Sequence, residues 1–196
     1  MLKLALSSLA LVALAACAPA SGPVDTPAAP GASPALGASV ESRIVNAAGA
    51  QVGFARFREG PAGVLITLEF NPRALTPGWH GAHLHENGDC ADFAAGFKAS
   101  GAHMKHGMEG EVHGLLNPEG PEAGDLANIF VADTDGPFAA ELYTTMVTLA
   151  SDAHEGRRPL LGAQGAALIL HANADDHASQ PIGGAGDRVA CAVIKP

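Results

Sequence analysis

The chain has 196 residues and is acidic, with 11 Lys and Arg against 20 Asp and Glu and a formal net charge of −9. This balance argues against a basic surface for nucleic acid, so no nucleic-acid partner is expected. About 160 residues remain after two N-terminal segments described next, which suits one domain.

The N-terminus predicts export. Residues 1–16 begin with a charged stretch at Lys3 and continue as an apolar run too short to span a membrane as a helix, which is typical of a signal peptide. The run ends at LAAC, and this tetrapeptide resembles the bacterial lipobox, in which cleavage leaves a diacylated Cys17 as the new N-terminus. An ordinary secretory peptide that happens to carry a cysteine is the alternative. We expect a periplasmic, lipid-anchored protein. Because Ala18 rather than an aspartate follows Cys17, the outer membrane is favoured.

Residues 17–37 then form the predicted lipidated tether. They are rich in Ala, Pro, Gly and Ser with one acidic residue, have no apolar period and cannot bury a core. The folded domain is therefore expected at residues 38–196.

The domain has an all-β pattern of short alternating or apolar segments separated by turn residues. The predicted strands lie at residues 40–46, 51–59, 64–70, 78–86, 128–132, 138–149, 166–171 and 188–194. Two long loops, 87–125 and 172–187, interrupt the series, and loops of such length are usually functional. Eight short strands of this kind predict an antiparallel barrel or sandwich.

The segment GWHGAHLHENGDC carries the strongest chemical signal. His83 and His85 are spaced i, i+2, which on a strand places both rings on one face with Cα atoms roughly 6.5 Å apart. Two such histidines on a wet face are common, but His103, His113, Asp125 and His171 follow in the chain. Sites built from imidazole nitrogens suit Cu(II) or zinc, so a metal site is expected.

The three cysteines have two expected roles. With Cys17 lipidated, Cys90 and Cys191 remain as an even pair in an oxidising environment, which favours a disulfide over two unpaired buried thiols. Such a bond would connect the 87–125 loop to the last strand.

Four segments together resemble one known family. GAHLHENGDCA and GGAGDRVACAVI are similar to the two signature segments of the copper–zinc superoxide dismutases, in the bacterial secreted form. HGLLNPEGPEAGDLANI and LILHANADDHASQPIGGAG resemble the zinc loop and the electrostatic loop of that family. The likeness covers residues 38–195. It implies an eight-stranded Greek-key β-barrel and an enzyme that converts superoxide to oxygen and hydrogen peroxide by copper redox cycling.

The resemblance also implies roles for individual residues. The implied copper ligands are His83, His85, His103 and His171. His103 would bridge to zinc as an imidazolate, with the metals roughly 6 Å apart, and would take a proton when released from copper. The other implied zinc ligands are His113 and Asp125.

Three further residues have implied roles around the metals. Asp175 would link a copper histidine to a zinc histidine, as outer partners of metal ligands do. Arg188 would hold the superoxide anion beside copper. His80 matches a structural histidine.

One position departs from the family pattern. Glu122 stands where the family has histidine, and the spacing from His103 to His113 is two residues longer than usual, with His106 inside the insertion. Three interpretations remain open: Glu122 binds zinc through oxygen, His106 replaces it, or the zinc site is weak or empty. A copper-only dismutase and a non-catalytic, lipid-anchored copper-binding protein are accordingly the alternative functions. The sequence leaves the oligomeric state open.

Overall fold

The computed structural model describes residues 37–107 and 110–196. The predicted signal peptide, Cys17 and all of the predicted tether except Gly37 lie outside the described residues. Within these two ranges, no helix is both long enough and apolar enough to cross a membrane.

The described chain forms eleven strands and two short 3₁₀ helices. The strands are β1 Ser39–Asn46, β2 Gln51–Gly60, β3 Gly63–Phe70, β4 Gly78–His80, β5 Ala82–His85, β6 Ile129–Val131, β7 Phe138–Thr144, β8 Val147–Thr148, β9 Arg158–Pro159, β10 Ala166–His171 and β11 Arg188–Ile194. A curled antiparallel sheet has the order β5-β10-β11-β1-β2-β3-β7, and two small sheets pair β4 with β6 and β8 with β9. The predicted all-β fold class is confirmed.

Some predicted boundaries are wrong in ways that have physical causes. The segment 78–86 is not one strand, because the backbone leaves the small β4–β6 sheet at Gly81 and enters the main sheet, as β5, at Ala82. Gly81 donates its N–H to the Asn173 carbonyl, and a Cβ at this position would lie 2.9 Å from the Cβ of Ala185. The loop 172–187 therefore packs directly against the break.

The other differences are smaller. The segment 138–149 is divided into β7 and β8, and β8 pairs in parallel with β9, which was not predicted. The loop 87–125 contains the two 3₁₀ helices, Phe93–Ala95 and Lys98–Ser100.

Strand β10 explains how the core supports the site. All six of its residues are buried. Leu168 and Leu170 belong to the main apolar core, whereas Ile169 packs in a second cluster with Phe97 and the two cysteines of a disulfide. Each fully buried aliphatic side chain of this kind contributes roughly 1.5–3 kcal/mol, so His171 ends a rigid strand.

The disulfide predicted from the sequence is present. Cys90 and Cys191 are bonded across a sequence separation of 101 residues. The bond fixes the start of the 87–125 loop to β11, three residues after Arg188.

Backbone pairing brings the distant histidines to β5. Met104 donates its N–H to the Leu84 carbonyl, and Leu84 donates its own N–H to the Gly124 carbonyl, both at 2.8 Å. A Cβ at Gly124 would overlap the Leu84 carbonyl oxygen, so only glycine permits this approach. His103 and Asp125, which flank these contacts, therefore lie beside His85 and His83.

Candidate metal centre

Four buried histidine rings converge on one point. The set His83, His85, His103 and His171 can each offer one ligand atom such that all four atoms lie within 4.8 Å of one another. One ring nitrogen of each is buried and has no hydrogen-bond partner, namely Nδ1 of His83 and Nε2 of the other three. Buried polar atoms without a partner are costly and rare, so four that converge are suited to binding a metal ion.

The opposite ring nitrogens are all held in place. Nδ1 of His85 lies 3.0 Å from the Gly101 carbonyl and Nδ1 of His171 lies 2.9 Å from the Gly186 carbonyl. A ring nitrogen that faces a carbonyl must carry the proton, so Nε2 of each ring keeps a lone pair. Such outer hydrogen bonds fix the tautomer that binds a metal.

Burial lowers the pKa of His83, His85 and His171 and so favours neutral rings. Burial opposes protonation of His103 as well, but its hydrogen bonds to Asp125 and Glu122 outweigh this and raise its pKa. Burial lowers the pKa of His85 well below its usual value, and the neighbouring His103 and Arg188 lower it further. Burial together with the nearby His83 lowers the pKa of His171 to about 3. These rings therefore present lone pairs rather than protons at neutral pH, as metal binding requires.

A second cluster lies on the other side of His103. Its Nδ1 is 3.0 Å from Glu122 Oε2 and 3.5 Å from Asp125 Oδ1, and Asp125 Oδ1 is 2.7 Å from His113 Nδ1. Zinc bonds of 2.0–2.1 Å in a tetrahedron place neighbouring ligand atoms about 3.4 Å apart. His103 Nδ1, Asp125 Oδ1 and His113 Nδ1 suit this spacing, and Glu122 Oε2 lies beside His103 Nδ1 as the candidate fourth ligand. The four residues on this side whose ligand atoms all lie within 4.8 Å of one another are His83, His103, His113 and Asp125, and Glu122 is outside that set. His83 Nε2, however, is bound to Asp175.

Opposite charges dominate the second cluster. Burial alone would favour a neutral ring, but hydrogen bonds to Asp125 and Asp175 raise the pKa of His113 to about 10. Burial opposes ionisation of Asp125, yet its hydrogen bonds to His103, His113 and the Gly114 N–H hold the pKa of that carboxyl far below its usual range. Two carboxylates and two imidazoles in a dry site form a donor set that a divalent cation fits.

The structure directs His106 elsewhere. Its Nδ1 lies 2.6 Å from Glu111 Oε1, and the same carboxylate accepts the backbone N–H groups of His106 and Gly107. Of the two candidates for the fourth position, the buried Glu122 carboxylate is the one beside His103.

Asp175 connects the two clusters. Its Oδ2 lies 2.8 Å from His83 Nε2 and its Oδ1 lies 3.2 Å from His113 Nε2. Asn128, which sequence reasoning missed, holds the Asp175 backbone with two hydrogen bonds of 2.8 and 2.9 Å. No local sequence signal identifies Asn128, because it lies 47 residues away in the chain.

Arg188 begins β11 opposite His171 in the register. Its guanidinium donates to the Phe97 carbonyl at 2.9 Å, to Ser100 Oγ at 3.0 Å and to the Gly101 carbonyl at 2.9 Å. The Gly101 carbonyl also faces His85 Nδ1, so one peptide group fixes both the cation and a ring of the first cluster. Partial burial lowers the pKa of Arg188, which nevertheless keeps its charge because guanidinium ionises only at very high pH.

His80 is separate from both clusters. It is buried, and its two ring nitrogens lie 2.6 Å from the His171 carbonyl and 2.8 Å from the Thr76 carbonyl. The contact with His171 connects β4 to β10, which is a structural arrangement.

Comparison with known proteins identifies this class of site. Residues 51–194 match the family model for copper/zinc superoxide dismutase. A superoxide dismutase [Cu-Zn] from Caulobacter vibrioides is 51% identical over 147 residues, covering 75% of this chain and 80% of that protein. Superoxide dismutase [Cu-Zn] 2 from Aquifex aeolicus is 38% identical over 155 residues, covering 79% of this chain and 85% of that protein.

Solved structures are similar as well. A double mutant of a SOD-like protein from Bacillus subtilis has a TM-score of 0.70 and 31% identity, covering 80% of this chain and 97% of that chain. The Cu/Zn superoxide dismutase from Brucella abortus has a TM-score of 0.58 and 28% identity, covering 80% and 99%.

The chain therefore belongs to the copper/zinc superoxide dismutase family. The predicted family, barrel fold, enzyme class and metals are confirmed: it is a superoxide dismutase with copper and zinc as cofactors. Bacterial enzymes of this family are generally periplasmic.

Proposed function

We propose that the two clusters are the copper and zinc sites of a superoxide dismutase that works in the bacterial periplasm. Copper is held by His83 Nδ1 and by Nε2 of His85, His103 and His171. Four converging buried nitrogens without partners are the observation that carries this assignment. Zinc is held by His103 Nδ1, His113 Nδ1, Asp125 and Glu122, a donor set that zinc accepts.

His103 is the residue through which the two sites communicate. One of its nitrogens faces each cluster, so the ring can bridge two cations when both of its protons are absent. Copper supplies the one-electron redox chemistry when bound. When Nε2 of His103 does not coordinate a metal, that atom holds a proton. Asp125 and Glu122 keep the Nδ1 side of the same ring fixed.

Arg188 binds and orients the anionic substrate. The chain as a whole is acidic, so its net charge disfavours the approach of a superoxide anion. The guanidinium is held by three acceptors on residues 97–101, which leaves it rigid and adjacent to His85 and His171. A fixed cation at this place attracts superoxide and positions it beside the copper ligands.

The test is metal analysis of the purified mature protein together with a superoxide-decay assay. The proposal predicts one copper and one zinc per chain and rapid superoxide decay. Copper without turnover would instead indicate a non-catalytic copper-binding protein. Turnover with copper and no zinc would indicate a copper-only dismutase.

We also propose the domain arrangement and the anchor. Residues 1–16 are a lipoprotein signal peptide, residues 17–37 a tether lipidated at Cys17, and residues 38–196 the enzyme domain. The LAAC segment and the absence of aspartate at Ala18 support an anchor in the outer membrane. Cys17→Ser should release the protein into the soluble periplasmic fraction, with unchanged activity per folded chain. Recovery of this variant wholly in the membrane fraction would refute the anchor.

A further inference from the structure

The two oxygens of the Glu122 carboxylate face different groups. Oε2 lies 3.0 Å from His103 Nδ1, whereas Oε1 lies 3.0 Å from the ammonium nitrogen of Lys105. The Glu122 side chain is almost buried, with 7% of its surface exposed, whereas 49% of the Lys105 side chain is exposed. Lys105 thus closes the outer side of a carboxylate whose inner side belongs to the proposed zinc site.

Lys105 is itself held in this position. Its ammonium donates to the Glu111 carbonyl at 3.2 Å as well as lying against Glu122. The Glu111 carboxylate is already bound by His106 and by the N–H of Gly107, so it does not draw the ammonium away. The longer segment between His103 and His113 therefore places one lysine beside Glu122, the proposed fourth zinc ligand.

The charges explain why a lysine is useful at this place. A histidine at position 122 would be a neutral zinc ligand, whereas Glu122 adds one negative charge. A divalent cation with the shared imidazolate, Asp125 and Glu122 carries one net negative charge, and the Lys105 ammonium cancels it. A buried carboxylate without such a partner is costly, because it has lost its hydration.

We propose that Lys105 is a positioning residue for zinc: it holds Glu122 Oε1 so that Glu122 presents a single oxygen, and it restores the charge that a histidine would leave. This inference rests on the zinc site of the proposed function. A carboxylate with both oxygens free can bind a metal through both, which would give five ligand atoms. A structural zinc site has four. Lys105 thereby sets the coordination number.

The test uses cobalt as a visible substitute for zinc. Co²⁺ is loaded into the zinc site of the full mature protein whose copper is reduced and therefore colourless, and the visible absorption per bound cobalt is measured. Geometry is diagnostic, since four-coordinate Co²⁺ absorbs more strongly than five-coordinate Co²⁺. We expect the strong spectrum for the wild type and for Lys105→Arg, and a loss of about twofold or more for Lys105→Met at equal cobalt content.

Two controls separate positioning from a general effect. In the Glu122→His background, Lys105→Met should leave the cobalt spectrum unchanged, because no carboxylate oxygen remains to be held. Lys195→Met removes the same charge from a lysine that follows β11 and packs beside Gly88 and Gly165, and it should also change nothing.

Three results would overturn the inference. Identical spectra for the wild type and Lys105→Met would do so, and so would an equal loss in the Glu122→His background. A protein that keeps copper and activity but binds no cobalt would remove the zinc site and this inference with it, while the proposed enzyme function would stand. Absence of both copper binding and superoxide decay in the wild type would instead refute the proposed function.

Discussion

Replacing Cys90 and Cys191 by alanine should both destabilise the enzyme and lower its activity. The bond closes a loop of 101 residues, and in the loop-entropy model such a closure stabilises the fold by about 4–5 kcal/mol. For a domain of this size, each 1 kcal/mol corresponds to a Tm change of about 2–4 °C, so the Tm should fall by about 8–20 °C. The bond also fixes residues 90–101, whose carbonyls hold Arg188 and His85. Activity at 25 °C should therefore fall even where the protein is folded.

Thermal unfolding of the metal-free protein is the appropriate assay, because bound metals would add their own stabilisation. The wild type with its disulfide reduced provides the matched control, and its Tm should approach that of the double variant. A reducing agent should leave the Tm of the double variant unchanged. A double variant whose Tm lies within about 3 °C of the oxidised wild type, with full activity, would refute the reasoning about this loop.

Three further predictions concern the site. Arg188→Glu should retain copper but lower the superoxide-decay rate at least about tenfold, which corresponds to about 1.4 kcal/mol of barrier. The activity of the wild type should fall with added salt, because salt screens the cation over about 8–10 Å. An unchanged rate in the variant would show that Arg188 is not part of the active site. Glu122→His should retain more zinc per chain after dialysis at mildly acidic pH and show a higher Tm, because a metal that binds only the folded state stabilises it; equal, full zinc occupancy in both proteins would contradict this. The metal-free protein should be most stable near pH 6–7. Above this range, the stabilisation by His113, whose pKa is raised to about 10, is lost as this residue deprotonates. Below this range, stability falls because the unfolded chain binds protons that His171, with a pKa of about 3 in the folded protein, does not bind. Loading both metals should abolish the loss of stability at alkaline pH. A metal-free Tm that rises from pH 7 to 10 would contradict the account.

The strand periodicity predicted that the His83 and His85 rings lie on one face of a strand, because this depends on local spacing, whereas His103 and His171 were implied as copper ligands by the resemblance. His83 and His85 lie two residues apart on β5, and the strand that ends at His171 pairs directly with β5. The strand boundaries were less predictable where a loop packs onto the sheet. Nothing local to the segment 78–86 indicates that the loop 172–187 presses against Gly81 and divides the strand there.

The zinc half depended on contacts that the sequence does not encode locally. The resemblance implied His113 and Asp125 and left the Glu122 position open. The orientation of the Glu122 carboxylate between His103 and Lys105 follows from the fold of a segment with two additional residues. Asn128 and the carbonyls of Phe97 and Gly101 are likewise set by tertiary contacts across many residues. A resemblance names ligands, whereas their hydrogen-bond partners require coordinates.

The most direct test of the central claim is a crystal structure of the metal-loaded protein with anomalous diffraction recorded at the copper and zinc absorption edges. The account predicts one copper peak bounded by His83 Nδ1 and by Nε2 of His85, His103 and His171. It predicts one zinc peak roughly 6 Å away, bounded by His103 Nδ1, His113 Nδ1, Asp125 and Glu122. Copper outside the four-histidine cluster, or a zinc peak that lacks Glu122, would contradict it.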